Sequence, residues 1–163
     1  MPTHRGALAR SAIASWVLRV ATAAALGIDA VVHWQNASAY DAVTATISQG
    51  ELFRVEAAVA VVVGLLVLVR PQPSSWLAAL LVGASALAAV LLYRYVDVGA
   101  VGPLPEMYEN TWQVPGKLLS AYAEAAAVGL AGLGLLTHRK RPGDATAASG
   151  GSDREEERMK CPR

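Results

Sequence analysis

QPSSWLAALLVGASALAAVLLY, residues Gln72–Tyr93, carries no charged side chain. A helix needs about 20 mostly apolar residues to cross the hydrocarbon core of a bilayer. This stretch is long enough, and it is bounded by Arg70-Pro71 on one side and Arg94 on the other. Its apolar residues run all the way round the helix, leaving no polar face wide enough for water. A core helix of a soluble protein would be shorter and would alternate with amphipathic ones.

Three further segments read the same way. They run roughly from Ala12 to Trp34, from Leu52 to Val69 and from Leu118 to Thr137, and the uncharged stretch belongs to a span from about Trp76 to Val96. Short connections make neighbouring helices antiparallel. The expected fold is therefore all-α, an up-down four-helix transmembrane bundle over residues 1–137. Residues 138–163, rich in Gly, Ser and charge, lack the apolar surface to fold alone and are expected to form a disordered cytoplasmic tail. Ala37-Ser38-Ala39 resembles a signal-peptide cleavage site. The preceding apolar run exceeds the usual ~7–15 residues, and Arg19 and Asp29 interrupt it, so it reads as a retained span.

Composition agrees. Of 163 residues, 54% are hydrophobic and only 17% charged, against about 25% charged in ordinary globular chains; mean hydropathy is +0.36. A net charge of +1 argues against a nucleic-acid partner. The single cysteine, Cys161, excludes a disulfide scaffold and any C-x-x-C redox pair.

Basic residues set the orientation. Arg5, Arg10, Arg70, Arg139, Lys140 and Arg141 flank one side of the spans, whereas the 35–51 connection has no Lys or Arg and the 97–117 connection has Lys117 alone. Both termini are therefore expected in the cytoplasm of a plasma-membrane protein. Trp34, Trp76, Tyr108 and Trp112 fall where interfacial aromatic rings are expected.

Titratable residues inside the spans are costly, about 2.5–3.5 kcal/mol for Asp, Lys or Arg on the insertion scale. They usually face the bundle interior and mark function. Arg19, Thr22, Leu26, Asp29 and His33 fall on one stripe of the first helix, with Asp29 and His33 at i, i+4. Glu56 lies one turn inside the second span, Arg94 and Asp97 form an i, i+3 pair ending the third, and Glu124 sits inside the fourth with Ser120 one turn above. Alternating helix direction places Asp29, His33, Glu56, Arg94, Asp97 and Glu124 at similar depth near the outer leaflet; Arg19 is the exception.

These six residues are the candidate binding set, a polar pocket opening outward. Three chemistries remain open. The pocket holds a proton, cation or small polar ligand, with His33 as the titrating group and Arg94 as counter-charge. Alternatively, the charges are interhelical ion pairs of a purely structural subunit, with Arg54 or Arg94 facing Glu56, Asp97 or Glu124. Thirdly, Asp29, His33, Glu56 and Glu124 ligate a divalent metal in a membrane enzyme. His4 and His138 lie outside the spans, which disfavours a bis-histidine haem, and no cofactor is expected. No G-x-S-x-G, P-loop or H-E-x-x-H pattern is present, so a non-enzymatic role is favoured. Four spans are few for a solitary transporter; besides the lipid bilayer, a second copy or a membrane partner protein is expected. The loop from Asp97 to Gly116, rich in Pro and Gly around Met107, Tyr108 and Trp112, is expected to fold back over the bundle mouth.

Asp29-Ala-Val-Val-His33-Trp, the stretch Tyr93-Arg-Tyr-Val-Asp97-Val-Gly with Gly102-Pro-Leu-Pro-Glu-Met-Tyr108-Glu, and Ser120-Ala-Tyr-Ala-Glu124 resemble a group of small uncharacterised actinobacterial integral membrane proteins. The likeness runs from about Ser11 to Leu136. It implies four spans in a plasma membrane and carries no activity with it. The layout is also loosely similar to DoxX-like membrane proteins, from which no residue roles are transferred.

Overall fold

The computed structural model of the chain describes residues 4–139. Four helices account for most of it: α1 (His4–Ala37), α2 (Gln49–Val69), α3 (Pro73–Tyr95) and α4 (Lys117–Arg139), with a single 3-10 turn at Ser38–Tyr40 after α1. Each helix is long and apolar enough to cross a membrane. The fourth continues through His138 to Arg139, slightly past the expected span, and the tail expected beyond it lies outside the described residues.

Local chemistry sets the helix ends. Ser48 caps α2 reciprocally with Glu51: the Ser48 hydroxyl accepts from the Glu51 amide at 3.0 Å, and Glu51 Oε2 accepts from the Ser48 amide at 2.8 Å. Pro71 cannot continue α2, and Pro73 starts α3 at a position where its missing N–H is no loss. The intervening turn is tight. Ser75 Oγ donates to the Arg70 carbonyl at 2.6 Å, and the Gln72 amide donates to the same carbonyl at 2.7 Å.

The helices alternate in direction, so the start of α1, the end of α4 and the 70–72 turn lie at one end of the bundle, and the 38–48 and 96–116 connections at the other, distal end. The α1–α2, α3–α4 and α1–α4 seams are extensive, the α2–α3 seam is the slightest between neighbours, and α1 and α3 barely meet. The core is made of small residues, Ala25, Ala30, Ala57, Ala60, Ala79, Ala127 and Ala131, with Leu26, Val63, Val67 and Trp76 between them. Small side chains let helix backbones approach where lipid provides no hydrophobic drive. Large apolar side chains such as Val17, Val31, Val62, Leu65, Leu81, Leu119 and Leu133 point outward on all four helices. That surface suits hydrocarbon and would be an aggregation hazard in water.

Trp76 stands in the first turn of α3, at the end of the bundle, and turns inward. It is 2% exposed and lies in a slot against Gly134, where any Cβ would run into the indole ring. The core ends early on α3, whose buried residues are Ser75, Trp76, Ala79 and Gly83 and none beyond. Its distal half faces a cavity.

Candidate functional site

The stripe expected on α1 is the buried one: Thr22 is 0%, Leu26 1% and Asp29 1% exposed. Gly116 precedes α4 at φ +80°, its α-carbon side against Val32 of α1. This close approach sets the first turns of α4 beside Asp29. Ser120 and Glu124, one turn apart on α4, meet the α1 carboxylate there. Ser120 Oγ donates to Asp29 Oδ1 at 2.6 Å and lies 3.0 Å from Glu124 Oε1. One hydroxyl has one hydrogen and cannot serve both carboxylates at once. His33 Nδ1 lies 3.0 Å from Asp29 Oδ1 and 3.1 Å from the Asp29 carbonyl. Phe53 holds the imidazole edge-on at 5.1 Å. Ligating atoms of Asp29, His33 and Glu124 all lie within 4.8 Å of one another.

Glu124 is 1% exposed, yet its Oε2 finds no hydrogen-bond partner among the described residues, and neither does the buried Oε1 of Glu56. Both glutamates line a cavity of about 390 Å³ at the distal end. Its walls are largely apolar, with Val32, Leu52, Phe53, Val55, Ala86, Ala89, Val90, Met107 and Val114 among them.

No family model, curated protein or solved structure matches the chain. The chemistry of the site is therefore read from its own geometry.

A second polar group forms the rim. Tyr40 Oη donates to Glu109 Oε1 at 2.9 Å, and Lys117 Nζ donates to Glu109 Oε2 at 3.0 Å and to the Glu109 carbonyl at 3.1 Å. The 96–116 loop folds back here, its Glu109 amide donating to the Tyr93 carbonyl at 2.9 Å and Met107 joining the cavity wall. Asn36 Nδ2 donates to Pro115 O at 3.1 Å, and Ile47 N to Pro103 O at 3.1 Å, tying the two distal connections together.

Of the six candidate residues, the fold brings Asp29, His33 and Glu124 together, with Glu56 on the same cavity. Arg94 and Asp97 stand apart. The Arg94 guanidinium lies over Tyr95 at 5.0 Å and over Trp112 at 5.7 Å, and Lys117 approaches the same indole at 5.9 Å. Arg94 thus anchors the loop through cation–π contacts and offers the cavity no counter-charge. Asp97 is exposed and accepts from the Gly99 amide at 3.1 Å; α3 ends at Tyr95, so helical spacing no longer couples Asp97 to Arg94.

Among the described residues, no Arg or Lys pairs with Asp29, Glu56 or Glu124. Arg54, the other candidate partner, points to the surface and grips Asp41 with two bonds of 2.7 and 2.8 Å. That guanidinium holds the Asp41 carboxyl below its ordinary range. The expected interhelical ion pairs between buried acids and arginines are therefore not what the fold builds. Tyr40, Glu109 and Lys117 escaped the sequence reading as site residues: Glu109 is 69 positions from Tyr40, and no local spacing rule connects two loops.

Proposed function

We propose that this chain is a multi-pass plasma-membrane protein with both termini in the cytoplasm. Its distal cavity is an outward-facing pocket for a proton, cation or small polar ligand. The role is non-enzymatic, that of a transport-related or accessory subunit working with a second copy or a membrane partner. The resemblance to small four-span actinobacterial proteins belongs to the same reading.

One observation carries it. Two carboxylates, Asp29 and Glu124, are each 1% exposed and share the single hydrogen of Ser120. Burying charge without a partner is expensive, and real sites neutralise it with a proton, a metal or a paired group. Neither Arg nor Lys takes that role among the described residues; His33 faces Asp29 alone, so one positive charge at most comes from the protein, and the second carboxylate, Glu124, is left for what the pocket holds. The i, i+4 pairs on α1 and α4 aim a nitrogen and several oxygens at one point, a donor set that also suits a hard or borderline divalent ion.

The test is thermal unfolding of the purified protein in nanodiscs, against pH and against Mg²⁺, Mn²⁺ and Zn²⁺, for the natural chain and Glu124→Gln. A ligand that binds only the folded state stabilises it by about 2.7 kcal/mol at one hundred times its Kd. At least one cation, the proton included, is expected to raise the melting point of the natural chain and to lose that effect in the variant. Equal responses of both proteins to every cation overturn the reading. Reporter fusions placing the 38–48 connection inside the cell overturn its orientation.

A further inference from the structure

Resting on the pocket reading, we propose that the occupant is an amphiphilic organic amine. Its ammonium head sits against Glu124 and Glu56, its apolar body lies between the distal halves of α2 and α3, and it enters sideways from the outer leaflet.

The sign of the head follows from the groups facing the cavity. These are His33 from α1, Tyr40 after it, Glu56 from α2, Tyr93 from α3, Glu109 from the loop, and Lys117 and Glu124 from α4, with Asp29 behind Ser120. Lys117 is engaged by Glu109, and the His33 Nδ1 by Asp29. Glu56 and Glu124 each keep a buried oxygen without a partner among the described residues. An ammonium brings three donors and a positive charge to these acceptors. An anion meets repulsion from both.

The body follows from size and lining. A proton or a bare metal ion needs no cavity of about 390 Å³ with hydrocarbon walls. That volume falls within the ~300–1,000 Å³ of small-molecule pockets, whose few polar groups fix orientation while apolar walls hold the rest.

The route follows from the uneven α2–α3 seam. No residue of α3 beyond Gly83 is buried, and Val55 on α2 with Ser85 and Ala89 on α3 are both cavity lining and surface. The opening therefore lies on the flank of the bundle, among the apolar side chains that face lipid. The end of the bundle is bridged instead by Tyr40, Glu109 and Lys117. An amphiphile dissolved in the leaflet reaches the opening with its head already at the depth of the acids.

The experiment is calorimetric titration of the full chain in nanodiscs, with empty discs subtracted, using three probes: n-octylamine, n-octanol with the same body and no charge, and ethylamine with the charge and no body. Octylamine is expected to bind saturably and at least tenfold more tightly than either control. Glu124→Gln is expected to weaken octylamine at least tenfold. Ala89→Trp, at an exposed position on the opening, is expected to do the same. Octanol binding as tightly as octylamine, or octylamine binding indifferent to both variants, overturns the proposal. If octylamine shows no saturable binding but a metal ion or proton still separates the natural chain from Glu124→Gln, the amine is wrong and the pocket stands. If no cation of any kind separates them, both fall.

Discussion

Replacing Glu124 by Gln tests the pocket through the sign of a stability change. Glu124 is 1% exposed; its Oε2 has no partner among the described residues, and its Oε1 competes with Asp29 for the Ser120 hydrogen. A buried group left unsatisfied costs about 1–3 kcal/mol, and more when charged. Glutamine keeps the shape, removes the charge, and adds an amide donor beside Asp29 and Ser120. The ligand-free variant should therefore be more stable by about 1–3 kcal/mol. At about 2–4 °C per kcal/mol for a chain of this size, the melting point should rise by roughly 2–12 °C. A member of a buried ion pair behaves in the opposite way, since its removal strands the partner and costs about 3–5 kcal/mol. The assay is thermal unfolding without ligand in one nanodisc preparation, followed by tryptophan fluorescence. A fall in melting point would refute the idea that Glu124 is held without a protein counter-charge. Stability kept in reserve at a binding site, and recovered when the site is destroyed, is a familiar trade-off.

Other positions give independent checks. Gly134→Ala drives a methyl into the Trp76 ring; overpacking at about 1–3 kcal/mol outweighs the ~1 kcal/mol helix-propensity gain, so the melting point should fall. Gly116→Ala forces a left-handed φ of +80° on a residue with a Cβ that would sit 2.8 Å from Val32 Cγ1. The conformation alone costs about 1–2 kcal/mol, and cation affinity should fall with it because Ser120 and Glu124 follow directly on α4. The Asp41–Arg54 tie predicts a pH effect. Asp41 is held below its ordinary range, so its contribution is complete above the usual Asp value of about 3.9 and is lost as pH falls through the lowered one. Melting curves of the natural chain and Asp41→Asn should therefore differ by a constant amount at neutral pH and converge only in strong acid; a difference that grows on acidification would contradict the tie.

The spans were legible because the bilayer demands long apolar helices, and the chain supplies them with Pro71 and the capping Ser48 as punctuation. The inward stripe of α1 was legible because Thr22, Leu26 and Asp29 recur at helical spacing. Equal depth was enough to associate Asp29, His33 and Glu124. What failed depended on contacts distant in sequence. That Trp76 turns inward could not be read, because the slot that takes it is opened by Gly134, 58 positions away. Arg94 looked like a counter-ion because its competitor for contact, Trp112, sits on a loop with no period to read. The Asp97 pairing assumed a helix that stops at Tyr95. The Tyr40–Glu109–Lys117 rim joins two connections whose meeting no local pattern announces.

The 70–72 turn fastens α2 to α3 at one end, while the same two helices are only lightly joined at the other. Such a pair resembles tweezers with a stiff bow, whose tips are held by α1 and α4 rather than by each other. α3 has 23 residues, so at 1.5 Å per residue its tip lies roughly 35 Å from the bow. A swing of about 5° at the turn then moves the tip by about 3 Å, on this same rise per residue. The width of the gap between the tips is therefore set at the distal end, far from the packing around Trp76.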